Sequence, residues 1–216
     1  MNKMVEYRLW RCELMSVVLA ICMETGVIMM CDGRKVKFNS QSKDDFTIAD
    51  ENCKKLIRVN KEVCIGITGD ANILDEIVYE LQHYDDTNLK LEKIEKIVLQ
   101  IIKDKTVEWI GCKALIGGKN RKGKFVLHII DYSNINKENY KPVIFEPIGN
   151  LSVVQGAFPK AKNVSFYESL IEKHISNTAP WGNTDILLRH MAECIAEIAQ
   201  DDMSVNTNLF TESIGE

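Results

Sequence analysis

Ser16 directly follows a methionine, Met15, and heads two hydrophobic stretches, SVVLAICM and GVIMMCDGR. Translation from Met15 and loss of that methionine would leave Ser16 as a free N-terminus. Such a residue holds a hydroxyl nucleophile and a base, its own α-amine, in one unit. A serine hydroxyl is a weak nucleophile until a base takes its proton. An α-amine titrates near pH ~8, so a good fraction is neutral at cellular pH. No imidazole is required, and His83, His128, His174 and His190 all stand far from any serine motif.

Three further residues extend this chemistry. Asp32 closes the apolar run Val27-Ile28-Met29-Met30-Cys31, where a carboxylate needs a partner because burying it alone is costly. Lys55 is the natural partner, and Arg34 is a second candidate. Lys54 and Lys55 point to opposite faces of a strand, so only one can face a site. An ammonium beside Ser16 would lower the pKa of its amine and favour the basic form. Gly69 precedes a helical pattern, where a backbone N–H backed by the helix dipole can stabilise an oxyanion. Taken singly, each has a plainer reading. Ser16 can cap a strand, Asp32 can form a turn before Gly33, Lys55 can be a solvated strand end, and Gly69 can be a simple turn. Their company favours chemistry.

The elements that must position them follow from periodicity. Ser16–Met23 and Val27–Val36 read as strands joined at Glu24-Thr25-Gly26, a hairpin turn. The polar segment Lys37–Asp50 reads as a loop. Lys55–Asn60 and Val63–Thr68 form a second hairpin. Ile73, Ile77, Val78 and Leu81 share one helical face, with Asp70 as N-cap. A second helix spans Lys90–Trp109. Strands are expected at Lys113–Ile116, Lys124–Ile130, Val143–Glu146 and Leu151–Gln155. Helices follow at Lys160–His174 and Thr184–Ala199, then a last strand at Met203–Asn208. Grouped rather than alternating elements argue for α+β layers, with two antiparallel sheets flanked by helix pairs.

The 216 residues suit one domain with a full core. The net charge of −4 and the lack of a basic patch interleaved with aromatics argue against nucleic-acid binding. The longest apolar run, Val17–Cys22, is too short to cross a membrane. The seven cysteines sit mostly in apolar strings, as in Cys22, Cys31 and Cys64, and read as reduced residues of a cytoplasmic protein. None has zinc-finger spacing, and neither metal nor cofactor is expected. Residues 1–15 lack a signal-peptide pattern. They are either a propeptide or sequence upstream of the true start. The latter is favoured, because Trp10-Arg11-Cys12 can be encoded as UGG-AGG-UGU, which contains a ribosome-binding GGAGGU. Either way the mature domain is 16–216.

The strings Thr25-Gly26, Val27-Ile28, Asp32-Gly33-Arg34, Lys54-Lys55 and Thr68-Gly69-Asp70-Ala71, placed as they are after Ser16, resemble the β-type subunits of the proteasome and the bacterial HslV-like peptidases. The spacings Ser16–Gly26–Asp32 and Lys55–Gly69 match that pattern without a gap. DDMSVNTNLF resembles the family's C-terminal D-x-x-x-x-T-N segment. The resemblance implies a four-layer αββα sandwich and an N-terminal-nucleophile endopeptidase of the threonine/serine type. It implies Ser16 as nucleophile, with Asp32, Lys55 and Gly69 in support. It also implies Asp202 (or Asp201, one residue away) with Ser204 near the amine, and Cys53, Ile67 and Ala71 lining an apolar substrate pocket. It further implies peptide or unfolded-protein substrates, a homo-oligomeric ring and an ATP-dependent unfoldase as partner. Gly156 stands where the family has a serine that helps hold the amine. Two alternatives stay open: a small-molecule amidohydrolase on the same fold, and a non-catalytic ring or scaffold subunit.

Overall fold

A computed structural model describes residues 11–14, 17–39, 42–84, 89–105, 112–131, 140–148, 153–157, 164–176 and 183–215. Its strands are β1 (Arg11–Leu14), β2 (Val18–Met23), β3 (Gly26–Asp32), β4 (Lys35–Asn39), β5 (Ser42–Asp50), β6 (Leu56–Arg58) and β7 (Val63–Asp70). Further along come β8 (Cys112–Lys119), β9 (Phe125–Asp131), β10 (Val143–Phe145), β11 (Val153–Ala157) and β12 (Leu209–Gly215). The helices are α1 (Ala71–Leu81), α2 (Leu91–Lys105), α3 (Val164–Ile171) and α4 (Thr184–Asp201). A wider helical turn at Glu172–Ser176 extends α3.

Two antiparallel sheets face each other. The larger runs β10-β9-β8-β7-β1-β4-β5, with β6 beside β7, and the smaller runs β11-β2-β3-β12. Helices α1 and α2 cover the larger sheet through Ile73, Ile77, Ile94 and Val98 against Ile65, Ile67 and Ile116. Helices α3 and α4 cover the smaller one through Leu170, Met191 and Ile195 against Leu19 and Ile21. The layers are therefore helix, sheet, sheet, helix, the expected α+β sandwich. Between the sheets lie Val18, Ala20, Met29, Leu115 and Leu127. Their approach is close: a Cβ at Gly66 would stand 2.5 Å from Val18 Cγ1, and one at Gly117 2.6 Å from Val27 Cγ1.

Three sequence expectations change, and one strand appears where none was assigned. The single strand over Val27–Val36 is two strands in different sheets, β3 and β4, broken at Gly33-Arg34. A side chain at Gly33 would meet Glu51 O at 2.7 Å, so the chain turns where only glycine fits. The segment Lys37–Asp50 is not a loop but largely strand. It closes the β4–β5 hairpin, with Lys37 opposite Thr47 and Phe38 opposite Phe46. The last strand is β12, not Met203–Asn208, which is a loop whose Ser204 and Asn208 N–H groups donate to the side chains of Asp202 and Asn206. Finally, Arg11–Leu14 forms a strand. Among the described residues no helix is long and apolar enough to cross a membrane.

Candidate active site

The β3 strand carries Asp32 into the interior, where its side chain is 0% exposed. Lys55 precedes β6 and is equally buried. Lys55 Nζ lies 2.8 Å from Asp32 Oδ1. That same Oδ1 accepts the backbone N–H of Val17 at 2.9 Å, while Oδ2 accepts the N–H of Arg34 at 2.9 Å. Val17 O in turn accepts from Asp32 N at 3.3 Å. The residue that follows Ser16 is thus tied twice to Asp32.

Burial pushes both members of this pair toward neutrality, because desolvation penalises each charged form. It raises the Asp32 carboxyl, against the pull of Lys55 and three hydrogen bonds. It lowers the Lys55 ammonium, against the pull of Asp32. The neighbouring Cys31 thiol is pushed up to about 12, chiefly by burial, and is no thiolate nucleophile. Arg34, the other candidate partner of Asp32, instead grips Glu51 at 3.0 and 3.1 Å. Lys54 faces outward to Glu212.

Gly69 sits near the end of β7 with φ of +111°, a backbone conformation that favours glycine. Asp70 follows as N-cap of α1, its Oδ1 accepting Asn72 N–H at 2.9 Å. The β7 edge is shared: β6 pairs with Cys64–Gly66, and β1 pairs with Gly69 and Asp70. On its other side β1 pairs with Val36, Lys37 and Phe38 of β4. An extended segment of this chain therefore lies in a slot beside Gly69.

At the end of α4, Asp202 Oδ1 accepts Ser204 N–H at 2.8 Å and Ser204 Oγ–H at 2.6 Å. Tyr167 O–H donates to Asp202 Oδ2 at 3.3 Å. Asp201 is exposed, so of the two aspartates it is Asp202 that pairs with Ser204. Ile67 of β7 and Ala71, the first residue of α1, are buried in the core between the larger sheet and its helices, and Cys53 packs against that core half-buried. Gly156 has its carbonyl occupied: Lys113 Nζ, reaching across from β8, donates to it at 3.0 Å. Ser16 lies outside the described residues. Sequence reasoning missed Lys113, Asn206 and Glu51. Lys113 follows a strand-like pattern, and Asn206 and Glu51 stand in polar strings that read as loops. Among the described residues no cluster of His, Cys, Asp and Glu is arranged to hold a metal ion.

Comparison with protein-family models matches residues 15–140 to the family described as Proteasome subunit. No curated protein matches the sequence.

Proposed function

Because the chain belongs to the proteasome subunit family, we propose that it is an N-terminal-nucleophile peptidase whose nucleophile is Ser16, made available when Met15 and all that precedes it are absent. Ser16 Oγ attacks the scissile carbonyl carbon, and its proton passes to the Ser16 α-amine. Gly69 N–H supports the oxyanion. The C–N bond then breaks, the leaving amine takes the proton, and an ester to Ser16 remains for water to hydrolyse. Lys55 and Asp32 set the electrostatics, and Asp202 with Ser204 supports the amine. The working unit is a cytoplasmic homo-oligomeric ring acting on peptides or unfolded chains.

One observation carries this reading: Asp32 Oδ1 binds both Lys55 Nζ and Val17 N–H. It anchors a buried ion pair to the residue covalently joined to Ser16. The strand β1 adds that an extended peptide fits beside Gly69. The test compares a chain that starts at Ser16 with its Ser16→Ala variant on unstructured peptides. Hydrolysis by the first, with an acyl-enzyme mass adduct on Ser16, supports the proposal. Equal rates for the two refute it.

The occupied slot beside Gly69 and the Lys113 contact at Gly156 favour a second reading, a non-catalytic subunit that keeps its leader. A native chain that retains residues 1–15 and hydrolyses nothing would establish that reading instead.

A further inference from the structure

Three non-repetitive segments carry or adjoin the Asp32, Lys55, Asp202 and Ser204 side chains: the Gly33-Arg34 turn after Asp32, the stretch Glu51–Lys55, and the loop from Asp202 to Asn208. One side chain joins all three. Asn206, 7% exposed, accepts Gly33 N–H at 2.9 Å and Asn208 N–H at 3.3 Å on its Oδ1. Its Nδ2 donates to Glu51 O at 2.9 Å and to Glu51 Oε2 at 2.6 Å. Both donors and both acceptor positions of the amide are used, which marks a structural tie rather than a solvated residue.

The tie continues outward. Glu51 holds Arg34 through two contacts, and the Arg34 guanidinium also donates to Met203 O. Arg34 N–H donates to Asp32 Oδ2, and Cys53 N–H donates to Gly33 O at 2.8 Å. Two bonds from Asn206, through Glu51 and through Gly33, therefore converge on the backbone that aims the Asp32 carboxylate.

We propose that Asn206 is a positioning residue: it fixes the Gly33-Arg34 turn so that Asp32 presents Oδ1 to Lys55 and Val17. This rests on the peptidase reading above. The side chain contacts no reacting atom. It acts through Asp32, so its loss lowers turnover rather than substrate binding.

The test uses the chain that starts at Ser16. Asn206→Asp keeps the oxygen that accepts from Gly33 but sets a carboxylate against that of Glu51. Like charges at that distance repel, and the turn loosens. A misplacement on that scale should lower kcat about 10- to 100-fold with KM within about twofold. Adding Glu51→Gln supplies an amide donor to the new carboxylate and should restore kcat to within about threefold of the parent. The ratio of Asn206→Asp to parent activity should climb as pH falls, because protonation of one carboxylate relieves the repulsion.

A second readout needs no turnover. Amide exchange at Gly33 and Arg34 should quicken about tenfold in Asn206→Asp and return in the double variant. Unchanged exchange overturns the proposal even with an active parent. So does a kcat loss that the double variant does not restore. Altered exchange in a parent that hydrolyses nothing refutes the peptidase reading and leaves Asn206 a fold tie only. Should Asn206→Asp not fold, Glu51→Gln alone decides. It weakens the same tie and should lower kcat in the same direction, and no change in kcat overturns the proposal.

Discussion

Leu14 stands opposite Gly69 in the β1–β7 ladder, and the residue before it, Glu13, pairs with Asp70 on one side and Val36 on the other. Four residues thus bridge two strands that otherwise belong to separate parts of the larger sheet. Backbone pairing on both edges is sequence-tolerant, because it uses main-chain groups that every residue carries.

A chain without residues 1–15 should therefore offer two unpaired edges, at Gly69-Asp70 and along β4. Amide exchange in both should be faster than in the full chain, while β8 and β9 stay protected. A peptide of the sequence Arg-Cys-Glu-Leu added in trans should raise KM for a reporter peptide and leave kcat unchanged. Exchange that does not differ between the two chains would show that β1 leaves those edges unaffected.

The Asp32–Lys55 pair yields a stability prediction with a diagnostic twist. Removing one partner of a buried pair strands the other charge, at a cost of about 3–5 kcal/mol. Asp32→Asn and Lys55→Met should each show that loss in denaturant melts. The double variant Asp32→Asn/Lys55→Met leaves no stranded charge and should regain most of the stability. It should regain none of the hydrolysis, because the proposed reaction needs the charges and not only the fold. A double variant as unstable as the singles would mean that the pair is held by hydrogen bonds to Val17 and Arg34 more than by its charges.

Much of this arrangement was legible in the residues. A carboxylate closing the run Val27–Cys31 had to be paired, and Lys55 is its partner. Asp70 before a 3.6-residue period had to be a cap, and it is. Other parts were not legible because one-dimensional patterns do not report which sheet a strand joins. Lys35–Asn39 continues the extended chain of β3, and only the crowding at Gly33 reveals the change of sheet. Met203–Asn208 alternates polar and apolar like a strand. The side chains of Asp202 and Asn206 instead accept the backbone N–H groups of Ser204 and Asn208, the competition that short polar side chains bring. The strand β1 is four residues long, and its pairing is supplied by β4 and β7, both distant in sequence. Asn206 was invisible as a tie because its partners come from residues 33 and 51.

Gly69 adopts φ of +111°, so any side chain there is strained. Gly69→Ala should cost about 1–3 kcal/mol of stability, the usual toll of a non-glycine residue in such a conformation. If its N–H serves the oxyanion, kcat should fall more than stability explains, and KM should change little. A circular-dichroism melt paired with steady-state kinetics separates the two effects. Stability lost in full with kcat preserved would remove Gly69 from the mechanism.

Lys113 links β8 to β11, with its ammonium on the Gly156 carbonyl. Burial holds its pKa below the usual lysine value, against the pull of Asp131 and Glu168. The sign of the consequence is fixed by linkage. A lysine whose folded pKa lies below its unfolded one favours folding most above pH 10.5, and that contribution falls away as pH drops through the folded value. At neutral pH the charge is therefore a net cost, offset in part by the bond to Gly156. Lys113→Met removes both the cost and the bond, so its stability at pH 7 should lie within about 1 kcal/mol of the parent. As pH rises toward 10.5 the parent should gain on the variant, because only the parent carries a cost that deprotonation relieves. Denaturant titrations of both chains at pH 7 and at alkaline pH measure the difference. A gap that stays constant with pH would mean that Lys113 titrates as a solvated lysine, with the Gly156 contact too loose to bury it.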